Sequence, residues 1–317
     1  MSNNKDFNFL SQFRDQTTKK LQNFTATEFA EVWNHYDKDG NGYIEGDELD
    51  LFLKEFVSSV VSENFSEESK ELNKSESQGE SSKILSETAM KALKNEIMEA
   101  YDENNDGRIE IYELAQILPM EENFLLLFRR DNQLESSVDF IKVWRMFDKN
   151  QSGFIEANEL KEFLKHLLKE AKPTEDTPKE KIDEYTKIIL QLFDYNKDGK
   201  LQLSEMARLL PVRENFLCRP IFKNASRITR YEIEKLFLVY DQDHSGTIEN
   251  EELDGFLKDL MEIVQEEYDD HDLQFLKKTL LNQWNKSADA KITKDDLQLI
   301  LTQQNRMYQS ELSLRKK

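Results

Sequence analysis

The sequence predicts an all-α protein: six helix-loop-helix units in three pairs, with short β-bridges between paired loops. Three observations predict it. Six segments of one pattern begin at Asp37, Asp102, Asp148, Asp194, Asp241 and Asn285, and after the first they recur every ~46 residues, a repeat signature. An aromatic residue stands immediately before each start: Tyr36, Tyr101, Phe147, Phe193, Tyr240 and Trp284. Beyond each segment an i, i+3, i+4 apolar triplet marks one buried helix stripe.

The stripes can be read in order. Trp33, Met98, Trp144, Leu190, Phe237 and Leu280 continue the aromatic positions backwards at helical spacing. The six following triplets are Leu49/Phe52/Leu53, Leu114/Ile117/Leu118, Leu160/Phe163/Leu164, Met206/Leu209/Leu210, Leu253/Phe256/Leu257 and Leu297/Ile300/Leu301. Helix starts are expected at the capping boxes Thr25-x-x-Glu28 and Thr229-x-x-Glu232. A further start is expected at Thr177-Pro178 with Glu180, read as N-cap, first-turn proline and N3 glutamate.

A longer repeat lies over the short one. LPMEENFLLLF (118–128) follows the second segment and LPVRENFLCRPIF (210–222) follows the fourth. One helix-loop-helix cannot bury its own stripe, so pairing is expected. The organisation read from this is 1–130, 131–223 and 224–317, one pair each. Bridges are expected near Ile44 and Ile109, Ile155 and Leu201, and Ile248 and Ile292. The long first step is explained by residues 62–83, rich in Ser, Glu and Lys, which read as a flexible insert. A solvated linker and a phosphorylated segment are both open readings of it.

The loops carry the chemistry. A hard divalent cation such as calcium takes six to eight oxygens, and a 12-residue loop supplies them from positions 1, 3, 5, 7, 9 and 12. Position 7 gives its backbone carbonyl, position 12 a long bidentate carboxylate, and position 6 a turn that glycine adopts most cheaply. Loop one offers Asp37, Asp39, Asn41, Tyr43, Glu45 and Glu48 around Gly42. Loop two offers Asp102, Asn104, Asp106, Arg108, Glu110 and Glu113 around Gly107. Loop three offers Asp148, Asn150, Ser152, Phe154, Glu156 and Glu159 around Gly153. Loop four offers Asp194, Asn196, Asp198, Lys200, Gln202 and Glu205 around Gly199. Loop five offers Asp241, Asp243, Ser245, Thr247, Glu249 and Glu252 around Gly246. Ligands, glycine and both helix stripes coincide five times, which is the EF-hand pattern. The sixth segment has Asn285, Ser287 and Asp289, with Ala290 in the glycine place and the shorter Asp296 at position 12. It reads as a structural partner for loop five, with weak binding as the alternative. Five Ca2+ sites are therefore expected, with Mg2+ as a competitor.

Composition narrows the function. The chain has 63 Asp and Glu against 43 Lys and Arg, a formal charge of −20, which disfavours nucleic acid and anionic membrane as partners. Twenty Phe and ten Tyr supply cores. Cys218 is alone, so no intramolecular disulfide forms, and it reads as a reduced, buried or half-buried thiol. The N-terminus lacks a secretory pattern, Ser2 excludes the usual myristoylation signal, and no apolar run reaches a membrane span. A cytoplasmic monomer is expected, with the nucleus as a second compartment. His35, His166, His244 and His271 form no catalytic spacing, so no enzyme is expected.

The six units, ENFLLLF and ENFL after the even ones, EMARLLPV (205–212) and YDQDHSGTIENEELDGFLKDL (240–260) resemble the calbindin–calretinin–secretagogin family from about residue 25 to 305. The resemblance implies a helical cytosolic calcium buffer with some sensor behaviour. The intact second loop is closer to calretinin than to calbindin, and the 62–83 insert is longer than the family implies. Buffering leads because the 8 methionines are scattered singly. A sensor that binds target proteins is the alternative.

Overall fold

Several helices start where a side chain caps the first turn: Thr25, Ser136 and Thr229 each accept from a backbone N–H three residues on. The computed structural model describes residues 8–18, 20–60, 91–92, 94–102, 106–128, 134–219, 222, 228–265, 267–284 and 290–301. The 62–83 insert, Asn104, Asn285, Ser287 and Asp289 lie outside the described residues. In chain order the helices are α1 (Ala26–Tyr36), α2 (Gly46–Val60), α3 (94–101), α4 (Ile111–Ile117), α5 (Glu122–Leu125), α6 (Ser137–Phe147) and α7 (Ala157–Ala171). They continue as α8 (Lys179–Phe193), α9 (Leu203–Leu209), α10 (Arg230–Tyr240), α11 (Asn250–Val264), α12 (Asp270–Trp284) and α13 (294–301).

Both expected capping boxes form. Glu28 accepts from the Thr25 N–H at 2.8 Å, and Glu232 accepts from the Thr229 N–H at 2.6 Å. The third expected start is corrected. Pro178 is itself the N-cap of α8, at φ −55° and ψ 145°, and no side chain caps it. The extended backbone at Pro178 delays the helix by one residue, so Glu180 falls at N2 rather than N3.

The expected pairing is seen as three antiparallel bridges. Ile155 and Glu156 (β1) pair with Leu201 and Lys200 (β2). Ile44 exchanges both backbone hydrogen bonds with Ile109, at 2.9 and 3.0 Å, and Ile248 does so with Ile292, at 2.8 and 3.0 Å. All six apolar bridge residues are at most 1 % exposed. Position 8 thus closes the core beneath each loop pair.

The stripes are the core. In the odd hands the aromatic before the loop meets the phenylalanine of the exiting helix edge to face: Tyr36 with Phe52 at 5.2 Å, Phe147 with Phe163 at 5.2 Å, Tyr240 with Phe256 at 5.3 Å. In the even hands the corresponding exiting position is aliphatic: Ile117, Leu209 and Ile300, all buried.

Among the described residues the chain divides into two compact units, one within 1–129 and 167–176, the other within 130–166 and 177–317. Within the first, Phe24 forms a parallel bridge with Met120, its N–H donating to the Pro119 carbonyl at 2.7 Å. Phe124 and Phe128 of the ENFLLLF motif close an aromatic cluster on Phe29. Within the second, Leu134 bridges Val212 in the same parallel sense. The two long repeat motifs are therefore latches that return to the residues just before the odd hand of their own pair.

One feature departs from expectation and one was not anticipated. Cys218 is exposed rather than buried, because Leu217 takes the inward place in the 3-10 turn Phe216–Cys218. A 3-10 turn at Phe9–Phe13 precedes hand one. Leu10 is fully buried there, and Phe9 stacks on His35 at 3.7 Å while its N–H donates to Glu55 at 2.7 Å.

Candidate metal centres

Every complete loop opens on an aspartate at the end of a helix. Asp37, Asp102, Asp148, Asp194 and Asp241 each donate their backbone N–H to the carbonyl four residues back, at 2.9 Å in all five cases. All five are buried. A carboxylate at a helix C-terminus meets the negative end of the macrodipole, and burial adds a desolvation cost. The placement is unfavourable until a cation stands beside it.

The loops then fold over that aspartate in one way. Its second oxygen accepts from the glycine N–H at position 6: Gly42 at 3.2 Å, Gly107 at 2.9 Å, Gly153 at 3.1 Å, Gly199 at 2.8 Å and Gly246 at 3.2 Å. These glycines have φ from 80° to 85°, the left-handed region where a side chain is strained.

Position 12 closes the loop from the other side. Glu48 accepts from the Lys38 N–H at 2.9 Å, Glu159 from Lys149 at 3.2 Å, Glu205 from Tyr195 at 2.8 Å and Glu252 from Gln242 at 2.8 Å. The other oxygen of Glu159, Glu205 and Glu252 accepts from the position 9 N–H of Glu156, Gln202 and Glu249, at 3.1, 2.9 and 3.3 Å. Glu113 accepts from Glu110 at 3.0 Å. In loops three, four and five one glutamate therefore spans both arms of its loop.

In loops one and five three carboxylates converge. Asp37, Asp39 and Glu48 each bring an oxygen within 4.8 Å of the others, and so do Asp241, Asp243 and Glu252. That separation fits the sphere, roughly 5 Å across, set by oxygens at ~2.4 Å from one calcium ion. Asp37 Oδ1, Glu48 Oε2 and Asp241 Oδ1 are buried and accept no hydrogen bond. A buried acceptor without a donor is costly, and a hard cation is the partner these oxygens suit. The donors present thus fit calcium. Burial, with Glu48 and Asp39 alongside, pushes Asp37 up to about 6. Burial and the facing carboxylates push Glu110 and Glu113 up to about 7, and burial raises Glu205.

The remaining expected donors lie in the same loops. Asn41 and Glu45 face each other, the amide 3.3 Å from the carboxylate. Asp106 accepts from the Arg108 N–H, Asp198 from Lys200 and Asp243 from Ser245, at 3.0, 3.1 and 2.9 Å. Asn150 and Asn196 accept from the position 5 N–H of Ser152 and Asp198, each at 2.9 Å. Ser152 and Ser245 hydroxyls donate to the position 7 carbonyls of Phe154 and Thr247, at 3.1 and 3.0 Å. Position 7 also does something its side chains did not announce. Arg108 lies over the Tyr43 ring at 4.7 Å and Lys200 over Phe154 at 3.4 Å, so cation–π contacts join paired loops. Position 4 is a second left-handed place, at Gly40, Gln151, Lys197 and His244 with φ from 54° to 70°. In the sixth loop Ala290 keeps φ 57°, while Asp296 accepts from the Thr293 N–H and hydroxyl at 3.0 and 2.6 Å.

Comparison with known proteins agrees with this geometry. Residues 27–118 and 138–210 match the family model of the EF-hand domain pair, and residues 233–257 match that of the EF hand. Calbindin-32 of Drosophila melanogaster is 54% identical over 298 residues, covering 94% of this chain and 91% of that protein. Calretinin of Homo sapiens is 45% identical over 282 residues, 89% of this chain and 93% of its own. Secretagogin of Danio rerio is 41% identical over 281 residues, 88% and 96% respectively. With six helix-loop-helix hands, three bridged loop pairs and this likeness over most of its length, the chain belongs to the calbindin–calretinin–secretagogin family of EF-hand calcium-binding proteins.

Proposed function

We propose that the chain is a calcium buffer with five sites, one in each of loops one to five. The observation that carries it is the repeated cradle: a buried position 1 aspartate at a helix end, folded over by glycine in all five loops, with the position 12 glutamate bonded to the loop backbone. Asp37, Asp39, Asn41, the Tyr43 carbonyl, Glu45 and Glu48 would hold one ion, and the matching positions of the other four loops one each. Bound calcium supplies charge neutralisation. The chain's own residues orient the oxygens, exclude water from position 1 and return the loop to its pair through position 8. The sixth hand completes the third pair without an ion of its own, and the three pairs act as the working divisions of the chain. Magnesium competes at the same donors.

Buffering is favoured over target binding because little methionine is offered to a partner: of the described methionines Met120, Met206 and Met261 are buried, Met98 is half-buried and Met146 is exposed. In this reading the chain works as a cytoplasmic monomer, without nucleic acid, membrane anchor or catalytic turnover. Among the described residues no helix is long and apolar enough to cross a membrane. Calorimetric titration of the calcium-free protein tests the stoichiometry: five ions support the reading, and four or fewer break it. An apolar fluorescent dye distinguishes the two roles. A small change in dye emission on adding calcium fits a buffer, and a severalfold rise fits the sensor alternative.

A further inference from the structure

We propose that α6, the entering helix of hand three, positions the metal loop of hand five, so that filling loop three and filling loop five are coupled across two different pairs. The inference rests on the calcium reading above.

Loop five is held by α6 at both of its ends, through residues that are not metal donors. Gln242, second in the loop, is gripped from two sides. Lys142 Nζ donates to its Oε1 at 2.5 Å, and its Nε2 donates to Ser136 Oγ, the N-cap of α6, at 2.9 Å. The backbone N–H of the same Gln242 donates to Glu252, the position 12 carboxylate. At the far end, Glu251 pairs with Arg145 of α6 at 2.5 Å. Arg145 reaches on to Asp254, whose side chain is 1% exposed and is also held by Lys277 of α12 at 2.6 Å. Both arms of the loop are thereby referenced to one helix.

That helix is not free to slide. A Cβ added to Gly255 of α11 would lie 2.7 Å from the Val138 nitrogen, so the two backbones meet without intervening side chains. Ser137 of α6 donates to the buried Asp259 of α11 at 2.5 Å, and Lys258 donates to Ser137 at 3.2 Å. The C-cap of α6 is Asp148, the first donor of loop three. Arg145 stands three residues before it, ~4.5 Å along the axis. Loop three meets the third pair again at Gly153, where an added Cβ would come within 3.2 Å of Asp270 Cβ at the start of α12. A helix is a rigid lever. Any reorientation of α6 set by loop three is carried to Gln242 and Glu251, and the reverse holds by linkage.

The test follows calcium titrations of the full chain by the amide resonances of Gly153 and Gly246, which donate to Asp148 and Asp241. Glu159→Gln is expected to weaken site five about fivefold, and Glu252→Gln to weaken site three by the same factor. In a Gln242→Ala/Glu251→Ala background both factors should fall to about one. Lys142→Ala/Arg145→Gln, which breaks the clamp from the helix side, should do the same. A factor of one in the otherwise native chain, or one that survives in either background, overturns the coupling. If the two glycines respond to calcium but never to each other's site, this inference falls and the calcium reading stands. If neither responds, both fall.

Discussion

The hydroxyl of Tyr240 donates to Asp259 at 2.6 Å, and Ser137 donates to the same carboxylate from α6. Asp259 is buried, and burial, with Glu262 nearby and Lys258 opposing, raises it to about 6. A carboxyl raised in the folded state stabilises the fold fully below its unfolded value and loses that contribution as pH rises through about 6. The calcium-free protein should therefore lose roughly 1–3 kcal/mol from this group between pH 4 and 7. Asp259→Asn imitates the protonated form and should flatten that part of the profile. Calorimetric melting in chelator at several pH values checks it.

Each position 12 glutamate should act on its own loop first. Glu48→Gln, Glu113→Gln, Glu159→Gln, Glu205→Gln and Glu252→Gln should each lower the affinity of their own site by roughly two orders of magnitude, far more than any effect on a coupled site, since ligand charge sets affinity. The count by calorimetry should drop by one in each case. Thermal unfolding should still rise in excess calcium, through the remaining sites.

The five loops were legible because their donors and glycine are local in the chain. The bridges at Ile44, Ile155 and Ile248 followed from position 8. The clamp of Gln242 and Glu251 by α6 was not legible, because it joins residues about a hundred positions apart and neither is a donor. The cation–π contacts of Arg108 and Lys200 were hidden by a rule that leaves position 7 side chains free. The turn at Phe9–Phe13 has too few residues for a helical period, and Cys218 could not be placed without knowing which residue of its turn faces inward.

The sixth loop offers a test of backbone strain. Ala290 sits at φ 57°, where a Cβ is disfavoured. Ala290→Gly should stabilise the protein by about 0.5–1 kcal/mol. No sixth calcium should appear in calorimetry, because Asp296 is shorter than glutamate and is engaged by Thr293.

The N-terminal turn should matter to the first compact unit. Leu10 is fully buried, and Leu10→Ala should cost about 2–5 kcal/mol. Denaturant titration checks the loss.

The parallel bridges of Phe24 with Met120 and Leu134 with Val212 bear on how the chain comes apart. Each fastens the tail of an even hand to the threshold of the odd hand before it, so a hand of either pair cut away from its partner would lack one half of its clasp. For these two pairs the fastened pair, and not the single hand, is the unit expected to open and close as one.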